Sequence, residues 1–197
     1  MLSKEDLEKQ IILLNDLLVD ANNKIGDIWI LPNTEECKIF AVTECGEVLD
    51  ALMRTNAKYF RNRNITNTQE EVIKEITDVV MMIWKSYMAI EINQNLVLIS
   101  DFSYTMAQED YDFVASCCNS NFDKNVRTII AGVLAKICAS ILDNSVIPVS
   151  YICFLIAEIE HLADNNEFFT KQISEKIERT IQKAEKERIS RRDNANV

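Results

Sequence analysis

Residues 41–52 read AVTECGEVLDAL and residues 70–83 read EEVIKEITDVVMMI. Each stretch carries two acids at i, i+3 spacing, Glu44 with Glu47 and Glu75 with Asp78, so on a helix each pair lies on one face. At about 100° per residue, Phe40, Ala41, Val48 and Ala51 share the side of Glu44 and Glu47, while Ile39, Val42, Leu49 and Met53 take the other side. That helix is apolar nearly all round, the mark of an interior helix, and its acids are expected to be kept from water. In the second stretch, Glu75 and Asp78 lie beside Val72, Val79 and Met82. Carboxylates in apolar surroundings need a proton, a basic partner or a metal ion.

The rest of the chain fits a helical reading. Its 197 residues include only three glycines and two prolines, too few turn formers for a sheet protein of this size. Hydrophobic residues make up 48% of the chain, enough for a sizeable core. The net charge of −10 argues against a nucleic-acid or anionic-membrane partner, so a phosphate-bearing ligand needs a metal ion or a local basic patch. Six cysteines at 37, 45, 117, 118, 138 and 153 show no CxxC spacing and read as reduced, small apolar residues. The longest apolar run, residues 147–157, is too short to cross a bilayer. With no signal peptide in view, a cytoplasmic location is expected.

Six helices follow from the periodicity. The first runs from about Ser3 to Asn23 and ends at Gly26; the second runs from Thr34 to about Tyr59. The third opens on the capping-box pattern Thr68 and Glu71 and continues to about Ile90. Residues 96–99 read as helix extension or loop, and 101–112 as a polar join between two halves, about 1–92 and 122–190. A fourth helix spans about 122–142, a fifth has Pro148 in its first turn, and a sixth spans about 167–188. Together they form a single all-α domain over 1–190, a helical bundle, with 191–197 as a disordered tail.

The four acids come with no histidine nearby, since His161 is the only one in the chain, and it reads as a helix-end residue. Carboxylates alone suit a hard cation, so Glu44, Glu47, Glu75 and Asp78 are the expected ligands of Mg2+, with Mn2+ as a substitute. Carboxylates projecting inward from facing helices are an established way to build a metal site, although the Glu-x-x-His pattern of di-iron bundles is missing here. No Gly-rich phosphate loop and no GxSxG motif is present.

Glu44-x-x-Glu47 followed by Glu75-x-x-Asp78 resembles the ExxE…ExxD signature of the all-α NTP pyrophosphatases, which include MazG-like proteins, dimeric dUTPases and dCTP pyrophosphatases. Gly46 before the second glutamate, Val48, Leu49, Ala51 and Leu52 after it, and the apolar run after Asp78 extend the resemblance over about residues 35–90. Thr43 and Lys74 stand where family members often carry a further glutamate. The resemblance implies a MazG-like fold and a Mg2+-dependent pyrophosphohydrolase that converts a nucleoside triphosphate and water to the monophosphate and pyrophosphate. Glu47 is then the candidate to orient or deprotonate the attacking water. The family usually assembles as a homodimer or homotetramer, and an all-round apolar second helix agrees with burial in such an interface.

Substrate contacts are sought among cations and one aromatic residue. Lys58, Arg61 and Arg63 follow the second helix, and Arg54 lies one turn earlier; mobile cations there could clamp a phosphate tail. Lys176 and Arg179 resemble the basic C-terminal helix that closes over phosphates in some family members. Trp29 is a candidate to stack on a base. Two alternatives stand beside the pyrophosphohydrolase: a phosphoribosyl-ATP pyrophosphohydrolase-like enzyme, and a non-catalytic helical interaction protein that keeps the fold.

Overall fold

A computed structural model describes residues 2–26, 34–54, 68–92, 95–99, 102–118, 127–164 and 167–195. Among these residues are seven helices and one short hairpin: α1 (Lys4–Ile25), α2 (Thr34–Arg54), α3 (Thr68–Met88), β1 (Ala89–Ile92), β2 (Asn95–Leu98), α4 (Gln108–Cys118), α5 (Arg127–Leu142), α6 (Val149–Ala163) and α7 (Phe168–Ala195). The helical class therefore holds. Three expectations do not. Residues 96–99 are neither helix nor loop throughout, because Ala89–Ile92 pairs antiparallel with Asn95–Leu98. The stretch expected as a polar join, 101–112, holds the start of α4, which packs on α6. The last helix also continues past Arg191 to Ala195.

The ends of α1 follow from local chemistry. Ser3 Oγ accepts the Asp6 backbone N–H at 3.1 Å, satisfying one of the first-turn donors that a helix leaves unpaired. Gly26 closes the other end. Leu7, Ile11, Leu14, Leu18 and Ile25 form the buried stripe that the periodicity indicates.

The most central helix is α6. Its run from Ile152 to Glu160 is buried at every position. The rule that an all-round apolar helix is an interior helix was applied to α2, and within this chain it fits α6 instead. On α2, Cys37, Ala41, Cys45, Val48, Ala51 and Leu52 are buried, but Ile39, Phe40, Leu49 and Met53 are exposed, Ile39 by 61%. The buried line of α2 lies along α3 in the most extensive helix pairing of the fold. Arg54 at the end of α2 pairs with Asp50 of the same helix at 2.6 Å and with Glu71 in the first turn of α3 at 2.5 Å. It is a clasp between helices rather than a mobile phosphate clamp.

Buried polar side chains fix the remaining helices. Asn15 on α1 accepts from the Trp84 indole N–H at 3.3 Å and donates to the Ile99 carbonyl at 3.0 Å, which ties α1 to α3 and to the end of the hairpin. Glu160 on α6 accepts the backbone N–H groups of Phe168 at 2.8 Å and Phe169 at 3.0 Å, and the Gln10 amide at 2.9 Å. A carboxylate thus caps the first turn of α7 and sets where that helix crosses the bundle. Burial raises the Glu160 carboxyl above the ordinary range, and these three donors pull the other way.

Candidate metal and phosphate site

Glu44 from α2 and Glu75 and Asp78 from α3 converge: each offers a carboxylate oxygen, and the three lie within 4.8 Å of one another. Glu75 is buried, while Glu44 and Asp78 are half-buried. Glu75 Oε1 accepts from Lys74 at 2.9 Å, and its buried Oε2 has no hydrogen-bond partner. A buried carboxylate oxygen left unpaired is costly unless something else compensates it. A divalent cation with a preference for oxygen donors fits that vacancy in the bonding and the all-carboxylate donor set.

The fourth expected ligand does not join them. Glu47 is exposed and stands outside the three-carboxylate group. The reason is angular. The buried line of α2 runs through Ala41, Cys45 and Val48. Glu44 borders it, whereas Glu47 is rotated roughly 60° farther away at i+3. Its charge still reaches the group. Burial raises the Glu44 carboxyl above its ordinary value, Glu47 and Glu75 add to that, and Lys176 and Lys74 oppose it.

Opposite the acids stands α7. Lys176 on this helix is in direct ion-pair contact with Asp78. Burial lowers its ammonium pKa, against the pull of Glu44, Glu75 and Glu47. Lys176, Arg179 and Lys183 of α7 and Lys74 of α3 line a cavity of about 250 Å³, together with Thr77 and Thr180. Arg179 is also paired with Glu175 at 3.5 Å along the helix. Lys176, Arg179 and Lys183 thus form a row on α7, and Lys176 and Lys74 of the four cations contact the carboxylate group directly.

A second cavity, of about 200 Å³, shares Lys176 and Thr180 with the first and is bordered by Glu44, Asp78 and Lys85. Lys85 is buried, and desolvation lowers its ammonium to about 8, only partly offset by the Cys37 thiol of α2.

Of the residues the sequence singles out, Glu44, Glu75, Asp78, Lys176 and Arg179 are thus brought together. Trp29, Lys58, Arg61 and Arg63 lie outside the described residues. Three cations were missed as site residues. Lys74 read only as a departure from the family pattern, yet it bonds Glu75 directly. Lys183 continues the i, i+3, i+7 row of Lys176 and Arg179, a legible signal. Lys85 sits in the apolar run MMIWKSYM and carried no cue. All six cysteines are free thiols, three of them buried. Among the described residues, no helix is long and apolar enough to cross a membrane.

Comparison of the chain with protein-family models, with curated proteins and with solved structures gave no match.

Proposed function

We propose that this protein is a Mg2+-dependent nucleoside triphosphate pyrophosphohydrolase with a MazG-like all-α fold. The observation that carries the reading is the juxtaposition of three carboxylates, one with a buried unpaired oxygen, and four cations, of which Lys176 and Lys74 contact Asp78 and Glu75 directly. An anion-lined or a cation-lined cleft alone has many uses. The two side by side match a ligand that brings both a divalent metal and several phosphates.

In this reading Glu44, Glu75 and Asp78 hold the metal, and Mn2+ can replace Mg2+. When bound, the metal supplies charge neutralisation at the phosphate oxygens and a more acidic water. Lys176, Arg179, Lys183 and Lys74 bind the phosphate tail, and Lys176 exchanges its contact with Asp78 for one with phosphate. Glu47, exposed and outside the three-carboxylate group, is assigned the role of taking a proton from incoming water rather than of ligating metal. The exposed apolar face of α2, with Ile39, Leu49 and Met53, is proposed as the surface covered by a second copy in a homodimer.

The test is pyrophosphate release from a panel of ribo- and deoxyribonucleoside triphosphates, with Mg2+ and with chelator. Release is expected only with metal, and Glu75→Gln should lower kcat/KM on the order of 10²–10³-fold. One observation favours a second reading. Lys176 already compensates Asp78, as it would in a non-catalytic helical interaction protein. In that case no triphosphate is turned over and thermal stability is indifferent to Mg2+.

A further inference from the structure

The nucleotide reading leaves the free thiols without a role, and two of them meet. Cys45 lies on the buried line of α2. Cys138 is half-buried on α5, between the buried Ile137 and Ile141, and packs against the same core. α5 packs on α2, and across that interface the two thiols are in hydrogen-bond contact. The other thiols are less suited to pairing. Cys117 and Cys118 are successive residues of α4, and successive helical side chains point about 100° apart. Cys37 and Cys153 are fully buried, which closes them to an oxidant. Cys45 also directly follows Glu44, so whatever holds its side chain acts on the turn of α2 that carries one of the three carboxylates.

We infer that Cys45 and Cys138 are a redox-sensitive pair: exchange with a small-molecule disulfide of the glutathione class joins them, ties α2 to α5 and weakens cation binding at the neighbouring carboxylate group. The effect on cation binding rests on the metal-dependent reading above; the thiol pair does not. Cys138 is the entry point, because it is half-buried while Cys45 is only 1% exposed. Its sulfur, having lost its proton to solvent, attacks one sulfur of glutathione disulfide and releases a glutathione thiolate. Cys45 Sγ then attacks Cys138 Sγ in the mixed disulfide. The second glutathione leaves as a thiolate and takes up the Cys45 proton. Two protein thiols are oxidised to one disulfide, and one glutathione disulfide is reduced to two thiols. Bonding brings the two sulfurs closer than contact distance and draws α2 toward α5 at Cys45. Glu75 and Asp78 stand on α3, the other neighbour of α2, so Glu44 shifts relative to them. A site that needs three carboxylates at one point loses affinity when one of them moves.

The experiment equilibrates the full chain with graded ratios of reduced to oxidised glutathione, traps the remaining thiols by alkylation and maps the peptides without reduction. The expected result is a peptide pair linked through Cys45 and Cys138 as the main disulfide of the chain, reversed by dithiothreitol and absent in Cys138→Ala. Glutathione that stays bound at Cys138 with no link to Cys45, or a different pair oxidised in its place, overturns the inference. The mapping is done on wild type, so it decides the pair even if Cys138→Ala does not fold. Calorimetric titration with Mn2+ then compares reduced and oxidised protein after small thiols are removed. Oxidised wild type should bind Mn2+ about tenfold more weakly than reduced wild type, and Cys138→Ala should bind it equally with and without the oxidant treatment. Equal affinity in reduced and fully linked wild type overturns the coupling to the carboxylates while leaving the hydrolase reading standing. Reduced wild type that binds no Mn2+ removes that reading and the coupling together, and the mapping still decides the thiol pair.

Discussion

Glu158 shows how much a single buried acid can shape the behaviour of this fold. It is fully buried on α6, and neither of its oxygens has a hydrogen-bond partner; the Cys118 thiol works against the effect of burial. Burial pushes its carboxyl up from 4.5 to about 7. The folded protein therefore keeps a proton there that the unfolded chain gives up near pH 4.5, so folding stability is full below that pH and falls as the pH rises toward 7. The loss amounts to about 3 kcal/mol. Glu158→Gln should remove it. Urea titrations from pH 4.5 to 8 are expected to show the variant more stable at the high end and flat where wild type declines; a parallel decline in both would refute the assignment. The residue scale is also where the sequence was most informative about the site. The i, i+3 acids were plain, because helical spacing alone puts Glu75 beside Asp78. Glu47 was misplaced because spacing does not say where the buried line of α2 lies, and sixty degrees separate a ligand from a solvated acid.

At the scale of elements, α7 is held by one contact more than by any other feature at its start. Glu160 accepts two backbone N–H groups of the first turn, and Gln10 braces it from α1. Glu160→Gln loses the charge and places an amide donor among these donors, which should cost about 1–3 kcal/mol. The same change should loosen the helix that carries Lys176, Arg179 and Lys183. Amide hydrogen exchange is expected to quicken along residues 168–183 while α3 stays protected; uniform protection would show that α7 is positioned by other means. Helix limits were readable where chemistry marks them, at Ser3, Gly26, Thr34, Thr68 and Pro148. The hairpin was not read, although IEI and NLVL are separated by just two residues, a spacing typical of tight hairpins. The periodicity of α3 runs straight into β1 and hid the change. In α4 only Val114 is a buried apolar residue, so a helix that short and polar on most sides resembles a linker.

The whole molecule decides what no single element can. Two helices of this chain are rich in apolar residues on most sides, and only their neighbours tell which is interior. α6 is enclosed by α1, α3, α4 and α7, while α2 meets α3 and α5 and leaves one face open. Ile39 is 61% and Met53 58% exposed on that face. If a second copy covers it, wild type sediments as a dimer at micromolar concentration, and Met53→Asp shifts the population to monomer with its helical signal intact. Monomeric wild type at that concentration would dismiss the dimer.

The account stands or falls on whether the acids and cations of the cleft act as one site. Calorimetric titration with a non-hydrolysable α,β-imido nucleoside triphosphate, with Mn2+ and with chelator, on wild type and Glu75→Gln, tests this directly. The acids repel a bare triphosphate, so the account predicts measurable binding only when metal is present, and at least tenfold weaker binding in Glu75→Gln. Binding of equal strength with chelator, or none under any condition to a folded protein, would contradict it.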